Sequence, residues 1–325
     1  MSNSQNAPHA SAQLGQGPGS FDLYAEITRQ IMAMLDQGVV PWRSPILGQR
    51  QGGYPKNYDS KKPYRGVNVF LLAFVGHIHG YESSTWLTFR QAQAAGGNVR
   101  KGEKSTMVIF WKKYQIEEKE TGEKKEVPIA RFYRVFNVSQ CEGIKAPDAV
   151  AFTPTEFTPI DEAEKIVQGY ADGPAIESGG TQAFYRPATD TVHIPEPTRF
   201  TSTTEYFSTI YHELSHSTGV KKRLDRGLDT DPRPFGSPDY GKEELIAEMS
   251  ASFLCGHAGI TPAVIEHQAA YISGWLGQLK QDKKLIIQAA AAGQRAADWI
   301  RGQRTWDATE PTAPQQPELA EAAHP

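Results

Sequence analysis

The stretch at residues 206–220 reads YFSTIYHELSHSTGV and contains His212, Glu213 and His216. Side chains four apart stand one above the other on a helix face, so both imidazoles can point at one ion. Glu213 is displaced from that axis and can reach a water held at the ion. Zinc lowers the pKa of such a water toward neutrality, and the carboxylate removes its proton as it attacks a carbonyl, which is the logic of the H-E-x-x-H spacing. Helix signals surround the motif. Thr201, Ser202, Thr203 and Thr204 offer a cap, Phe207, Ile210, Tyr211 and Leu214 supply buried contacts, and Gly219 stands where a C-terminal glycine belongs. The plain alternative is a pair of surface histidines that serve no ion.

A catalytic zinc takes three protein ligands and keeps a fourth position open. Downstream, KEELIAEMSASF (242–253) offers Glu243, Glu244 and Glu248. Glu244 and Glu248 share a helix face, where like charges repel mildly. One carboxylate on the ion and the other orienting a ligating histidine would account for the pairing. Glu243 points about a hundred degrees away from Glu244, so the two do not face the ion together. The alternative is an acidic, solvated first turn, where Glu is favoured anyway. His193 and His257 read as structural or surface residues.

The 325 residues suit two folded units, each with its own core. The formal charge of −3 hides an asymmetry: residues 20–145 hold 19 Lys+Arg against 12 Asp+Glu, or +7, and residues 146–325 hold 15 against 25, or −10. The basic half is the one suited to a polyanion. It also carries 17 of the 33 aromatics, interleaved with cations as in Trp42-Arg43, Tyr64-Arg65 and Trp111-Lys112-Lys113. Single-strand binders combine a positive groove with aromatic platforms, although many of these rings must be core. The candidate DNA contacts are Trp42, Tyr64, Arg65, Trp111 and the basic turn Arg100, Lys101, Lys104. Cys141 and Cys255 imply no disulfide framework. With no secretory signal pattern and no apolar run of membrane-spanning length, the expectation is a soluble, cytoplasmic protein with no membrane partner.

The expected organisation is a disordered segment 1–19, a first domain 20–145, a Pro- and Ala-rich linker 146–159, a second domain 160–302 and a disordered tail 303–325. In the first domain, the pattern predicts helices in FDLYAEITRQIMAMLDQG, PYRGVNVFLLAFV and STWLTFRQAQAAGG, then a long β-hairpin from TMVIFWKKYQI and PIARFYRVFNV with its turn near Gly122. In the second, a helix IDEAEKIVQGYADG and two short strands turned at Ala188 to Asp190 precede the histidine helix, the glutamate helix and two amphipathic helices. The fold class is α+β in both halves.

Two blocks, in this order, carry a resemblance. DLYAEITRQIMAMLDQGVVPWRSP through NYDSKKPYRGVNVFLL and WLTFRQAQAAGGNVRKGEKSTMVIFWKK to RFYRVFNVSQCEGI is similar to the single-stranded-DNA-binding domain of ArdC-type antirestriction proteins, which also opens some plasmid conjugation primases. AFYRPATDTVHIPEPTRFTSTTEYFSTIYHELSHSTGVKKRLDR followed by YGKEELIAEMSASFLCGHAGI resembles their zincin-like metallopeptidase domain. The resemblance implies a mobile-element protein that protects entering DNA from host restriction. In the zincins it resembles, the first acid of such a pair is the ligand and the residue one turn later steadies a histidine. That implies Glu244 with His212 and His216 on the metal, Glu248 behind them and Glu213 as base. The metal would be Zn2+, with Mn2+ or another divalent ion as substitute. The expected partners are single-stranded DNA and a host protein substrate such as a restriction component. The other reading is a non-enzymatic single-strand-binding antirestriction protein whose metal only supports the fold.

Overall fold

The computed structural model describes residues 22–43, 54–117, 124–144, 159–230, 237–260 and 268–303. The segment 1–19, the linker up to residue 158, the Gly122 turn and the tail beyond Gln303 lie outside these residues. No described helix is long and apolar enough to cross a membrane.

The first helix, α1 (Leu23–Asp36), begins at Asp22, whose carboxylate accepts from the Ala25 amide at 3.1 Å. Its apolar residues Ile27, Ile31, Met34 and Leu35 are all buried, and Gly38 at φ 79° turns the chain away. Helix α2 (Val67–Ile78) is apolar nearly all round, as a helix covered on two sides must be. It meets the hairpin of β4 (Thr106–Glu117) and β5 (Lys124–Asn137), where Asn68 donates to the Ile109 carbonyl at 2.7 Å and accepts from its amide at 2.8 Å. It also meets the C-terminal helices, where Phe70 stacks on Phe253 at 4.9 Å between centroids.

The hairpin pairs from Thr106↔Val135 to Glu117↔Lys124 and forms one edge of a sheet in which β1 (Lys56–Asn57) and β2 (Thr85–Leu87) complete the order β1-β2-β5-β4. The stretch 84–97, expected as one helix, divides. Thr85, Trp86 and Leu87 are all buried as β2, and only Phe89–Ala94 forms α3. A capping box decides the boundary, with Thr88 accepting from the Gln91 amide and the Gln91 side chain accepting from the Thr88 amide. A two-stranded pairing of β3 (Asn98–Val99) with β6 (Cys141–Glu142) closes this half.

The second half opens with α4 (Pro159–Gln168) and a three-stranded sheet in the order β7-β9-β8. The two expected strands are β8 (Phe184–Arg186) and β9 (Thr191–Ile194), which pair antiparallel. The third strand, β7 (Ala175–Ser178), runs parallel to β9 and was not expected from the sequence, because all four of its residues are exposed and no alternation marks it. Then come α5 (Thr203–Ser217), α6 (Pro238–Ala258), α7 (Gln268–Gln281) and α8 (Leu285–Ile300). Helix α6 starts before the expected Lys242, because Ser237 caps it through the Tyr240 amide and Pro238 fills its first turn. Small residues let α8 approach α6 closely. A Cβ on Gly293 would stand 3.0 Å from the Ile246 carbonyl oxygen and 3.1 Å from the Ser250 amide.

Two small buried clusters, around Trp86 with Phe110 and around Leu87 with Val138, lie within the first half, and the largest cluster spans both. It runs from Ile27 and Ile31 on α1 through Phe70 and Phe253 to Ala297 and Ile300 on α8. Polar ties cross the same boundary: Thr28 Oγ1 donates to the Lys283 carbonyl at 2.8 Å, Tyr54 Oη to the Phe253 carbonyl at 2.6 Å, and Arg65 pairs with Asp298. Helix α6, which carries Glu243, Glu244 and Glu248, is thus held by elements of both halves.

Candidate metal centre

Helix α5 presents His212 and His216 on one face. Ser202 caps it, accepting from the Glu205 amide at 3.1 Å, and buried Phe207, Ile210, Tyr211 and Leu214 seat its other side. Ser215 Oγ and Ser250 Oγ, 2.7 Å apart and fully buried, bring α5 against α6. That packing returns Glu244 to the histidines. His212 Nε2 lies 3.1 Å from His216 Nε2 and 3.4 Å from Glu244 Oε2, and His216 Nε2 lies 3.6 Å from Glu244 Oε1. Among the described residues these three form the one group of His, Cys, Asp or Glu side chains spaced to hold an ion.

The donor set fits a divalent metal. Tetrahedral ligands at about 2.0–2.2 Å from zinc stand roughly 3.3–3.6 Å from one another, close to the separations seen. Two imidazole Nε2 atoms facing each other and a carboxylate form an anionic pocket that a cation satisfies. Glu213 is buried on α5 between the two histidines.

Around this set the structure reassigns the second carboxylate. Glu243, which the helix spacing turned away from the ion, sits behind His216: an ionised Glu243 Oε1 only accepts, so His216 Nδ1–H donates to it at 3.4 Å, and Nε2 is the nitrogen turned toward Glu244. Arg226 grips the same carboxylate at 2.7 and 2.9 Å and is itself fixed on the Ser215 carbonyl and Thr218 Oγ1. Burial pushes the Glu243 carboxyl up, but Arg226 and His216 outweigh it and hold it down to about 2. Burial likewise opposes a charged His216, yet Glu243, Glu213 and Glu244 raise its pKa on balance. Glu248, expected to steady a histidine, accepts from Trp42 Nε1 at 3.0 Å. Both acids neighbour Glu244 along α6, and only the rotation of that helix against α5 decides which one reaches a histidine. Arg226 had no signal in the sequence beyond lying shortly after the motif.

Replacing Glu243 by Gln removes the charge that His216 and Arg226 share. Divalent metal affinity should fall about 10- to 100-fold, read by competition with a chromophoric chelator. Unchanged affinity would show that the Glu243 contact is idle.

The candidate DNA contacts separate into two groups. Trp42 is 0% exposed, bonded to Glu248 and edge-on to Trp275 at 6.3 Å, and Tyr64 is buried beside Phe110. Both are core residues, a correction to the expected stacking role, because rings of that size bury readily in a core. Arg65 is tied to Asp298, and Arg100 to Glu103 and the Ser139 carbonyl. Lys101, Lys104 and Trp111 are exposed, Trp111 at 37%. The structure adds Phe132, 41% exposed. Ile109 pairs with Phe132 and Trp111 with Ala130, so Trp111 and Phe132 are diagonal neighbours on one face of the hairpin, with Arg134 further along it. No alternation on β5 marks Phe132, which is followed directly by Tyr133, and the register with β4 is what places it beside Trp111.

Comparison with known proteins matches two family models. Residues 21–136 match the N-terminal domain of anti-restriction factor ArdC, and residues 161–292 match a zincin-like metallopeptidase. The chain is 35% identical over 296 residues to the uncharacterized protein y4eC of Sinorhizobium fredii, covering 87% of this chain and 93% of that one. It is 32% identical over 320 residues to the DNA primase TraC of Escherichia coli, covering 92% of this chain but 29% of the primase. Among solved structures, the metal-free antirestriction ArdC protein from the R388 plasmid superposes with a TM-score of 0.69 at 35% identity, covering 87% of this chain and 98% of that one. Its Mn(II)-bound structure superposes equally well, at 34% identity.

Proposed function

The chain belongs to the ArdC-type antirestriction family, and from that membership and the ligand geometry we propose that it is a metal-dependent peptidase whose N-terminal half binds single-stranded DNA. The observation that carries this reading is Glu213, a buried carboxylate next in sequence to His212, whose charge acts on His216 of the His212, His216 and Glu244 set. A purely structural metal has no use for an acid at that position. When bound, zinc or manganese would supply Lewis acidity that polarises a scissile carbonyl and makes water acidic near neutral pH. Glu213 then takes the proton of the attacking water and passes it to the departing amine. Glu243 and Arg226 keep His216 in one tautomer throughout. The proposed substrate is a host protein, such as a restriction component, met near entering DNA.

On the N-terminal half, Trp111 and Phe132 offer two exposed rings, and Lys101 and Lys104 offer phosphate contacts. Incubating the metal-loaded chain with host proteins, with and without single-stranded DNA and with a chelator as control, tests the peptidase reading. No chelator-sensitive cleavage in either condition would sink it. Binding to single-stranded DNA should weaken linearly on a log–log plot against salt, and Lys101→Gln with Lys104→Gln should flatten the slope by about 1.4. Equal affinity at low and high salt would rule out the assigned surface.

A further inference from the structure

Tyr240 stands on the first turn of α6, four residues before Glu244, so the two side chains share a helix face. The phenol is half-buried, and its O–H donates to the Glu244 carboxylate. Glu213 lies close enough for its charge to be felt by the same phenol.

The chemistry of the three ligands gives that hydroxyl a task. Without a metal, His212 and His216 are both near enough to Glu244 to share protons with it. Once their Nε2 lone pairs are committed to a cation, neither ring can donate to the carboxylate. Ligating carboxylates are themselves held by hydrogen bonds, and a glutamate has three torsions to restrain. Tyr240 O–H is the contact that persists, because a neutral phenol neither competes for the cation nor needs a lone pair from an imidazole. A phenol, whose ordinary pKa is about 10, keeps its proton at physiological pH without any help from its surroundings. Phenylalanine would fill the same volume on this turn, and only the hydroxyl makes the bond to Glu244.

We infer that Tyr240 is a positioning residue of the metal centre, fixing the Glu244 carboxylate in its ligating orientation. This rests on the metal-site reading above. The test uses the full chain as wild type, Tyr240→Phe and Glu244→Ala, titrated with Zn(II) and Mn(II) against a chromophoric chelator, together with thermal unfolding of the metal-free proteins. Tyr240→Phe should bind both ions about 10- to 100-fold more weakly while its metal-free Tm stays at the wild-type value. Equal affinity of wild type and Tyr240→Phe, with Glu244→Ala empty, overturns the role of Tyr240 and leaves the metal site standing. Weaker affinity accompanied by a lower metal-free Tm also overturns it, since the ring would then be serving the fold. Failure of the wild type to bind either ion removes the metal-site reading and this inference together.

Discussion

Glu213→Gln is expected to keep the metal and lose peptidase activity by about 10²- to 10⁴-fold, the usual contribution of a positioned general base. Glutamine has the size and shape of glutamate, so the buried position on α5 is not disturbed and the imidazoles of His212 and His216 stay where they are. What disappears is the basic oxygen that accepts a proton. Two measurements on one purified variant check this: metal content and the rate of cleavage of the substrate. A full metal complement with a wild-type rate would exclude Glu213 as base. Loss of metal along with activity would mean that the carboxylate serves the ligands and not the water. If protection against restriction survives in the variant, the DNA-binding half carries that function without proteolysis.

Arg223→Ala should lower stability by about 1–3 kcal/mol, the cost of leaving buried carbonyls without their donor while Asp190 keeps Lys222 and Tyr185. The Arg223 side chain is 0% exposed. Its guanidinium donates to both oxygens of Asp190, at 2.7 and 2.9 Å, to the Ser217 carbonyl at 2.9 Å and, through Nε, to the Asp172 carbonyl at 2.8 Å. The network joins the turn between β8 and β9 to the end of the histidine helix. Asp190 adopts φ 50°, a left-handed conformation that a non-glycine residue holds only when its surroundings insist. Burial pushes the Asp190 carboxyl up, but Arg223, Lys222 and Tyr185 outweigh it and hold it well below the usual carboxylate range. A depressed folded-state pKa means stability that is present above the unfolded value of about 3.9 and lost as pH falls through the folded value. Urea unfolding of wild type and variant at neutral pH and near pH 3 reads both effects. The gap between the two proteins should narrow at the lower pH, and a difference under about 1 kcal/mol at neutral pH would remove the network from the account of stability.

Much of this protein was legible where the information lies within one element. The i, i+4 spacing of His212 and His216, a capping residue among Thr201 to Thr204, the apolar rhythm of α1 and the two β-rich runs of the hairpin all follow from local propensity and period, which need no knowledge of neighbours. The approach of Glu244 to the histidines across the intervening chain depended on the resemblance, because spacing along a chain does not state which helices will touch. Tertiary packing alone decided the rest. It turned Glu243 and not Glu248 toward His216, brought Arg226 onto Glu243, and placed Tyr240 on Glu244. It made Trp42 and Tyr64 core while leaving Trp111 and Phe132 exposed, although composition marks all four alike. The physical reason is common to these cases. A helix period determines which side chains share a face, but the direction that face looks is set by the rotation of the helix against its neighbours, and that rotation is settled by buried contacts such as Ser215 with Ser250 and Gly293 with Ile246.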